Sequence, residues 1–234
     1  MFIKTGVAFI LMLSLFPMGR IYAQDTFGNK TSFDTTYHNY FYDQRVAYFR
    51  QLPVVKGGTM FIGNSITQGG DWAELLGNGT VQNRGISGDI SYGILARLDD
   101  VVRQSPKRVF IMIGVNDIGR GIPLELTLAN YRNIITRLKD LKEVKIYVQS
   151  VLPINPELIN RKYFTGTNAQ IRTMNDSIRD LCKEQHVDYI DLYSVLGNAK
   201  GEMPAEYTYD GLHFSGKGYL KWVRYLKDQH YIMN

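Results

Sequence analysis

Short apolar runs alternate with helical spacings along this chain, and that alternation limits its folds more than any other feature. The runs are TMFIG (59–63), RVFIMIG (108–114), KIYVQSV (145–151) and DYIDLY (188–193), with a weaker candidate at TVQNRG (80–85). As strands they are too apolar to have a wet face. Between them, apolar residues recur at helical spacing: Ile94, Leu98, Val101 and Val102; Leu128, Tyr131, Ile134, Ile135 and Leu138; then Ile171, Met174, Ile178, Leu181 and Cys182. Strand and helix in turn imply a parallel sheet covered on both sides, a doubly wound α/β domain. A last pattern, SGKGYLKWVRYLKDQ, begins at Ser215 as an N-cap and places Tyr219, Leu220, Val223 and Leu226 on one side. An N-terminal helical extension is expected over about residues 36–52, in YHNYFYDQRVAYFRQL. A chain of 234 residues with 44% hydrophobic content is enough for one domain with a full core.

In open parallel sheets ligands bind beyond the carboxyl ends of the strands. Three polar or glycine-rich segments fall there. In FIGNSITQGG (61–70) an apolar run stops at Gly63 and gives way to Asn64 and Ser65. A serine at a strand-to-helix turn can expose its hydroxyl and aim its own N–H at an anion, or it can simply cap the next helix. In NRGISGDIS (83–91), Gly85 can relieve the turn and Gly88 can bring a bare N–H close to a ligand, or both can serve the turn alone. In IMIGVNDIG (111–119), Asn116 can offer a neutral amide donor to a developing negative charge, where Asp117 could only repel it; an Asx turn is the plainer alternative. A fourth segment, YDGLHFSGKGY (209–219), sets Asp210 three residues before His213. On a tight loop that spacing lets the carboxylate orient the imidazole toward a serine. His38, His186 and His230 lack such company and read as surface histidines.

The first 23 residues have the layout of a secretory signal peptide: Lys4, an apolar stretch over about 7–16, and the small residue Ala23. That stretch is well short of the roughly 20 residues a membrane-spanning helix needs. The mature domain would cover 24–234, and the chain would be exported to a periplasm or the medium. Loss of Lys4 and Arg20 with the leader lowers the net charge from +5 to +3 without leaving a basic cluster, so no nucleic-acid partner is expected. The single Cys182 lies on the apolar side of its helical pattern and reads as a buried core thiol.

Taken together and in order, GNSIT, NRGISGD, GVND and DGLH resemble the SGNH (GDSL-type) hydrolases, serine esterases and lipases, over about residues 58–225. The longer NRGISGD and DGLH blocks resemble the branch of platelet-activating-factor acetylhydrolase-like and thioesterase/lysophospholipase-like members. The resemblance implies a flavodoxin-like three-layer α/β/α sandwich with a five-stranded parallel sheet. It implies Ser65 as nucleophile, His213 as general base and acid, and Asp210 as its orienting carboxylate. The oxyanion hole would be the N–H groups of Ser65 and Gly88 with the Asn116 side chain. No metal or organic cofactor is expected. The family pattern has Asp before the serine, where this chain has Asn64; the change removes a charge beside the nucleophile but none of the catalytic groups.

Substrate is less constrained. No apolar lid-like segment is apparent, which suits a small acyl group on a soluble alcohol, and the polar connection LPINPELINRKYFTGTN (152–168) offers Arg161, Lys162 and Tyr163 from the carboxyl end of a strand. Deacetylation of a carbohydrate is the expectation. The alternatives are a lysophospholipase or thioesterase, or a catalytically silent glycan-binding protein that uses the aromatic stretch 37–49 for stacking.

Overall fold

The computed structural model describes residues 33–232; the leader reading at residues 1–23 lies outside them. Five strands, β1 (Thr59–Gly63), β2 (Val81–Gly85), β3 (Arg108–Met112), β4 (Lys145–Gln149) and β5 (Asp188–Ile190), form one parallel sheet in the order β2-β1-β3-β4-β5. β1, β3 and β4 are buried from end to end apart from Arg108 and Lys145 at their starts, which is why their sequences do not alternate. Helices α1 (Tyr40–Gln51), α2 (Ser65–Gln68), α3 (Trp72–Leu76), α4 (Ser91–Ala96), α5 (Leu98–Gln104), α6 (Val115–Gly119), α7 (Leu124–Lys139), α8 (Asn168–Glu184), α9 (Leu192–Leu196) and α10 (Gly216–Asp228) complete the chain. α4, α7 and α8 pack as one helical layer, and α3, α9 and α10 as another. The result is a three-layer α/β/α sandwich. Among the described residues no helix is long and apolar enough to cross a membrane.

One face of the sheet is aromatic. Phe61, Phe110 and Tyr147 share a register across β1, β3 and β4, and their rings stack at 4.7 Å between neighbours. Trp72 of α3 stacks on Phe61 at 4.0 Å and meets Trp222 of α10 edge to face. Such pairs add about 0.5–1.5 kcal/mol each beyond the area they bury. They fasten the last helix to β1 through Trp72.

Several boundaries differ from the sequence reading. The third and fourth strands stop two residues early, and the fifth ends at Ile190 because Asp191 caps α9, its carboxylate accepting from Ser194 N at 3.1 Å. The pattern over 94–102 is two helices, broken at Arg97, whose guanidinium runs inward. Ser215 is the N-cap of α10, but its hydroxyl donates to the Glu206 carbonyl at 2.8 Å. Leu220 is 59% exposed, and Trp222 takes the buried place beside Tyr219, Val223 and Leu226. The helix α1 buries Tyr42, Val46 and Phe49 against Ile86, so these three serve packing, while Tyr40, Phe41 and Tyr48 are exposed. Cys182 is buried, and desolvation, with the Asp188 charge, pushes its thiol up to about 12.

Candidate active site

β1 delivers the chain to the site with no room for a side chain at its end. A Cβ on Gly63 would lie 2.1 Å from Thr67 Oγ1 and 2.4 Å from the Met112 carbonyl, and one on Gly85 would lie 2.2 Å from the Gln68 nitrogen. The two glycines let α2 sit directly on the ends of β1 and β2. Asn64 is the N-cap of α2, its side-chain oxygen accepting from Ile66 N at 3.0 Å. The capping alternative for Ser65 is thereby replaced: Asn64 does the capping, and the Ser65 hydroxyl is left for another partner. That partner comes from the far end of the chain.

Ser65 Oγ and His213 Nε2 are 2.8 Å apart, and His213 Nδ1 meets Asp210 Oδ2 at 2.6 Å. The carboxylate's other oxygen accepts from the N–H groups of Leu212 and His213 at 2.9 and 2.7 Å. Partial burial opposes the charge on Asp210, but the hydrogen bonds from the His213 ring and from these two amides outweigh it and hold the carboxyl below its ordinary range. Thr208 closes the loop: its hydroxyl donates to the His213 carbonyl at 2.7 Å and accepts from Gly211 N at 2.9 Å. Gly211 has φ +86, and a Cβ there would meet Ile159 N at 2.5 Å, so the 152–168 connection packs against the histidine loop. Asn155 N donates to the Gly211 carbonyl at 2.9 Å. Tyr219 OH donates to the Ile66 carbonyl at 2.6 Å, which ties α10 to the helix carrying Ser65.

Gly88 lies in the turn after β2 at φ +77, with open space where a Cβ would be. Among the described residues neither its N–H nor that of Ser65 has a protein acceptor. Asn116, in the first turn of α6, donates one amide hydrogen to the Asp89 carbonyl at 2.8 Å and keeps a second hydrogen to offer. Asp117 turns away into the core, where it accepts from Ser91 Oγ at 2.5 Å and from Thr127 Oγ1 at 3.3 Å; burial pushes its carboxyl up. Burial likewise raises Asp89 to about 6 against the pull of Arg97, which binds it through Nε at 3.0 Å and reaches the Gly63 carbonyl at 3.2 Å.

The remaining candidates stand differently. His38 pairs with Asp43 at 2.7 Å at the start of α1, and His186 and His230 occupy positive-φ turns after α8 and α10. In the 152–168 connection Leu152, Ile154, Ile159 and Phe164 are buried, so it is not simply a solvated link. Arg161 is turned onto the Gly166 carbonyl at 2.7 Å within that connection, whereas Tyr163 is exposed with the Lys162 ammonium 5.6 Å from its ring. Thr208, Asn155 and Tyr219 carry no motif; each acts through hydrogen bonds to backbone groups, Thr208 within its own loop and Asn155 and Tyr219 across the fold.

A family model for GDSL-like lipases and acylhydrolases matches residues 61–221, from the middle of β1 to the middle of α10. The chain belongs to the GDSL-like lipase/acylhydrolase family. Among solved structures, the chain resembles one described as a platelet activating factor from Streptococcus pneumonia, at 29% identity and TM-score 0.74, over 81% of this chain and 92% of that one. It also resembles a GDSL-like lipase from Bacteroides thetaiotaomicron, at 25% identity and TM-score 0.68, over 80% and 96% of the two chains. A curated relative is the isoamyl acetate-hydrolyzing esterase of Saccharomyces cerevisiae, 27% identical over 154 residues, 59% of this chain and 63% of the esterase. The chain thus spans less than two thirds of that relative's length. The family is one of ester-bond hydrolases, as the sequence resemblance implies.

Proposed function

We propose that this chain is an exported serine esterase that removes short acyl groups, acetyl above all, from carbohydrates through a Ser-His-Asp acyl-enzyme mechanism. The observation that carries the reading is the unbroken run of hydrogen-bond contacts from Ser65 through His213 to Asp210, at 2.8 and 2.6 Å. His213 takes the Ser65 proton as Oγ attacks the ester carbonyl, and Asp210 steadies the imidazolium that results. The negative charge on the tetrahedral oxygen meets the N–H groups of Ser65 and Gly88 and the free amide hydrogen of Asn116. His213 returns the proton to the departing alcohol, and water repeats the cycle to release the acid.

The carbohydrate part is supported by an aromatic ring near the histidine. Tyr209 is 70% exposed, with its ring nearly parallel to that of His213 at 6.1 Å, on the element that protonates the leaving alcohol. An acetate ester is what the yeast relative's name says it hydrolyses. Export rests on the leader pattern in residues 1–23, and N-terminal sequencing of protein recovered outside the cytoplasm checks it.

The test is an ester panel on the mature protein beside Ser65→Ala and Asn116→Ala. Ser65-dependent release of acetate from acetylated sugars, with little from long-chain esters, is expected. Asn116→Ala should lower kcat about 100- to 1000-fold in a folded protein. A preference for long acyl chains or thioesters would favour the lysophospholipase or thioesterase alternative, and no release with no labelling of Ser65 by a fluorophosphonate would favour a glycan-binding protein.

A further inference from the structure

The structure assigns Arg120 as a positioning residue that holds the oxyanion hole together by joining the two loops that carry Gly88 and Asn116. It stands at the C-cap of α6, the helix that bears Asn116, and its N–H donates to the Asn116 carbonyl at 3.0 Å. Its guanidinium reaches the other loop, where Nη2 donates to the Gly88 carbonyl at 2.9 Å. Nη1 donates to the Thr36 carbonyl, and Asp34 Oδ2 lies 3.9 Å away. One side chain therefore spans the Asn116 helix, the glycine turn and the segment leading into α1.

The glycine turn needs such a clamp. Gly88 has φ +77 and no side chain, so rotation of its flanking peptides meets little steric resistance. The peptide before Ser87 is fixed where Ser87 N donates to Gln68 Oε1 at 2.7 Å. The peptide after Gly88 is fixed twice, by Arg120 on its oxygen and by Asp89 N donating to the Ile86 carbonyl at 3.1 Å. Between these two anchored peptides lies the one that presents the Gly88 N–H. Without Arg120 one of the anchors loosens, and the N–H that must face the oxyanion is no longer held on target. The substrate in its ground state has little to lose from this, whereas the tetrahedral oxygen depends on it.

The inference rests on Gly88 N–H serving as an oxyanion donor in the proposed esterase, and the experiment separates the two. Arg120→Ala and Arg120→Lys are assayed with a short acyl ester, and the Ki of a simple boronic acid, whose adduct with Ser65 is tetrahedral and anionic, is measured for each. Arg120→Ala should lower kcat about 10- to 100-fold, as a small misplacement near the chemistry does, with KM within about twofold and the boronate Ki raised in parallel. Arg120→Lys, which keeps the charge but cannot bridge Gly88 and Thr36 together, should fall between. Unchanged kcat in a folded Arg120→Ala protein overturns the assignment, as does a loss that appears in KM alone with the boronate Ki unmoved. If Arg120→Ala does not fold, Arg120→Lys decides on the same two readouts. Failure of the esterase reading itself would show with Arg120 intact, as ester hydrolysis that survives Ser65→Ala or as no hydrolysis by the unsubstituted protein.

Discussion

Asp210 shows how much one side chain is asked to do, since its two oxygens serve the imidazole and two backbone amides at once. Its carboxyl is held below the ordinary range, so the native state binds a proton on it less readily than the unfolded chain does. The stability it contributes is complete above the unfolded value of about 3.9 and is lost as pH falls through the lower folded one. The difference in Tm between the protein and Asp210→Asn, measured from pH 6 to pH 3, should persist at pH 5 and close below about pH 4. A gap that closed above pH 5 would contradict the direction of the shift. Ser65, Gly88, Asn116, Asp210 and His213 were all visible in the sequence because each falls in a short segment whose composition already suggests chemistry. Arg120, Thr208 and Tyr219 were not, since hydrogen bonds from a side chain to backbone carbonyls leave no pattern of residue types in the sequence.

At the level of elements, placement of Ser65 depends on glycines that remove bulk from the sheet end. Gly85→Ala puts a methyl group 2.2 Å from the Gln68 nitrogen, which belongs to backbone and cannot rotate away. α2 must shift, at a cost of about 1–3 kcal/mol by analogy with overpacked cores. A drop in Tm accompanied by a fall in kcat larger than that in the fraction folded is the expected result; a stable, fully active Gly85→Ala protein would show that α2 floats free of β2. β1, β3 and β4 were legible because burial on both faces leaves continuous apolar runs, whereas β2, with Gln82, Asn83 and Arg84, shows one only weakly; the long helices α7 and α8 were legible because their period repeats several times. The helices α2, α3, α6 and α9 have four or five residues each, too few to display a period, and these short turns place Ser65 and Asn116.

Across the whole molecule, α1 acts as an outer brace. Phe49 is buried between two guanidinium groups, those of Arg45 at 4.6 Å and Arg84 at 4.8 Å from its ring centre, and Tyr42 OH donates to the Gly93 carbonyl at 2.7 Å. The cluster of Tyr42, Val46 and Phe49 closes on Ile86, two residues before Gly88. Phe49→Ala should cost about 3–5 kcal/mol in denaturant unfolding, and the loss should fall to near zero if α1 were only loosely attached. The connectivity has a consequence in time as well as space. All five strands are complete by Ile190, yet His213, the partner of Ser65, is 148 positions further along the chain than Ser65 itself, beyond every strand. A chain still emerging from the ribosome can thus possess its sheet and its serine long before it possesses His213. The contact between Ser65 and His213 can form only after every strand of the sheet has been made.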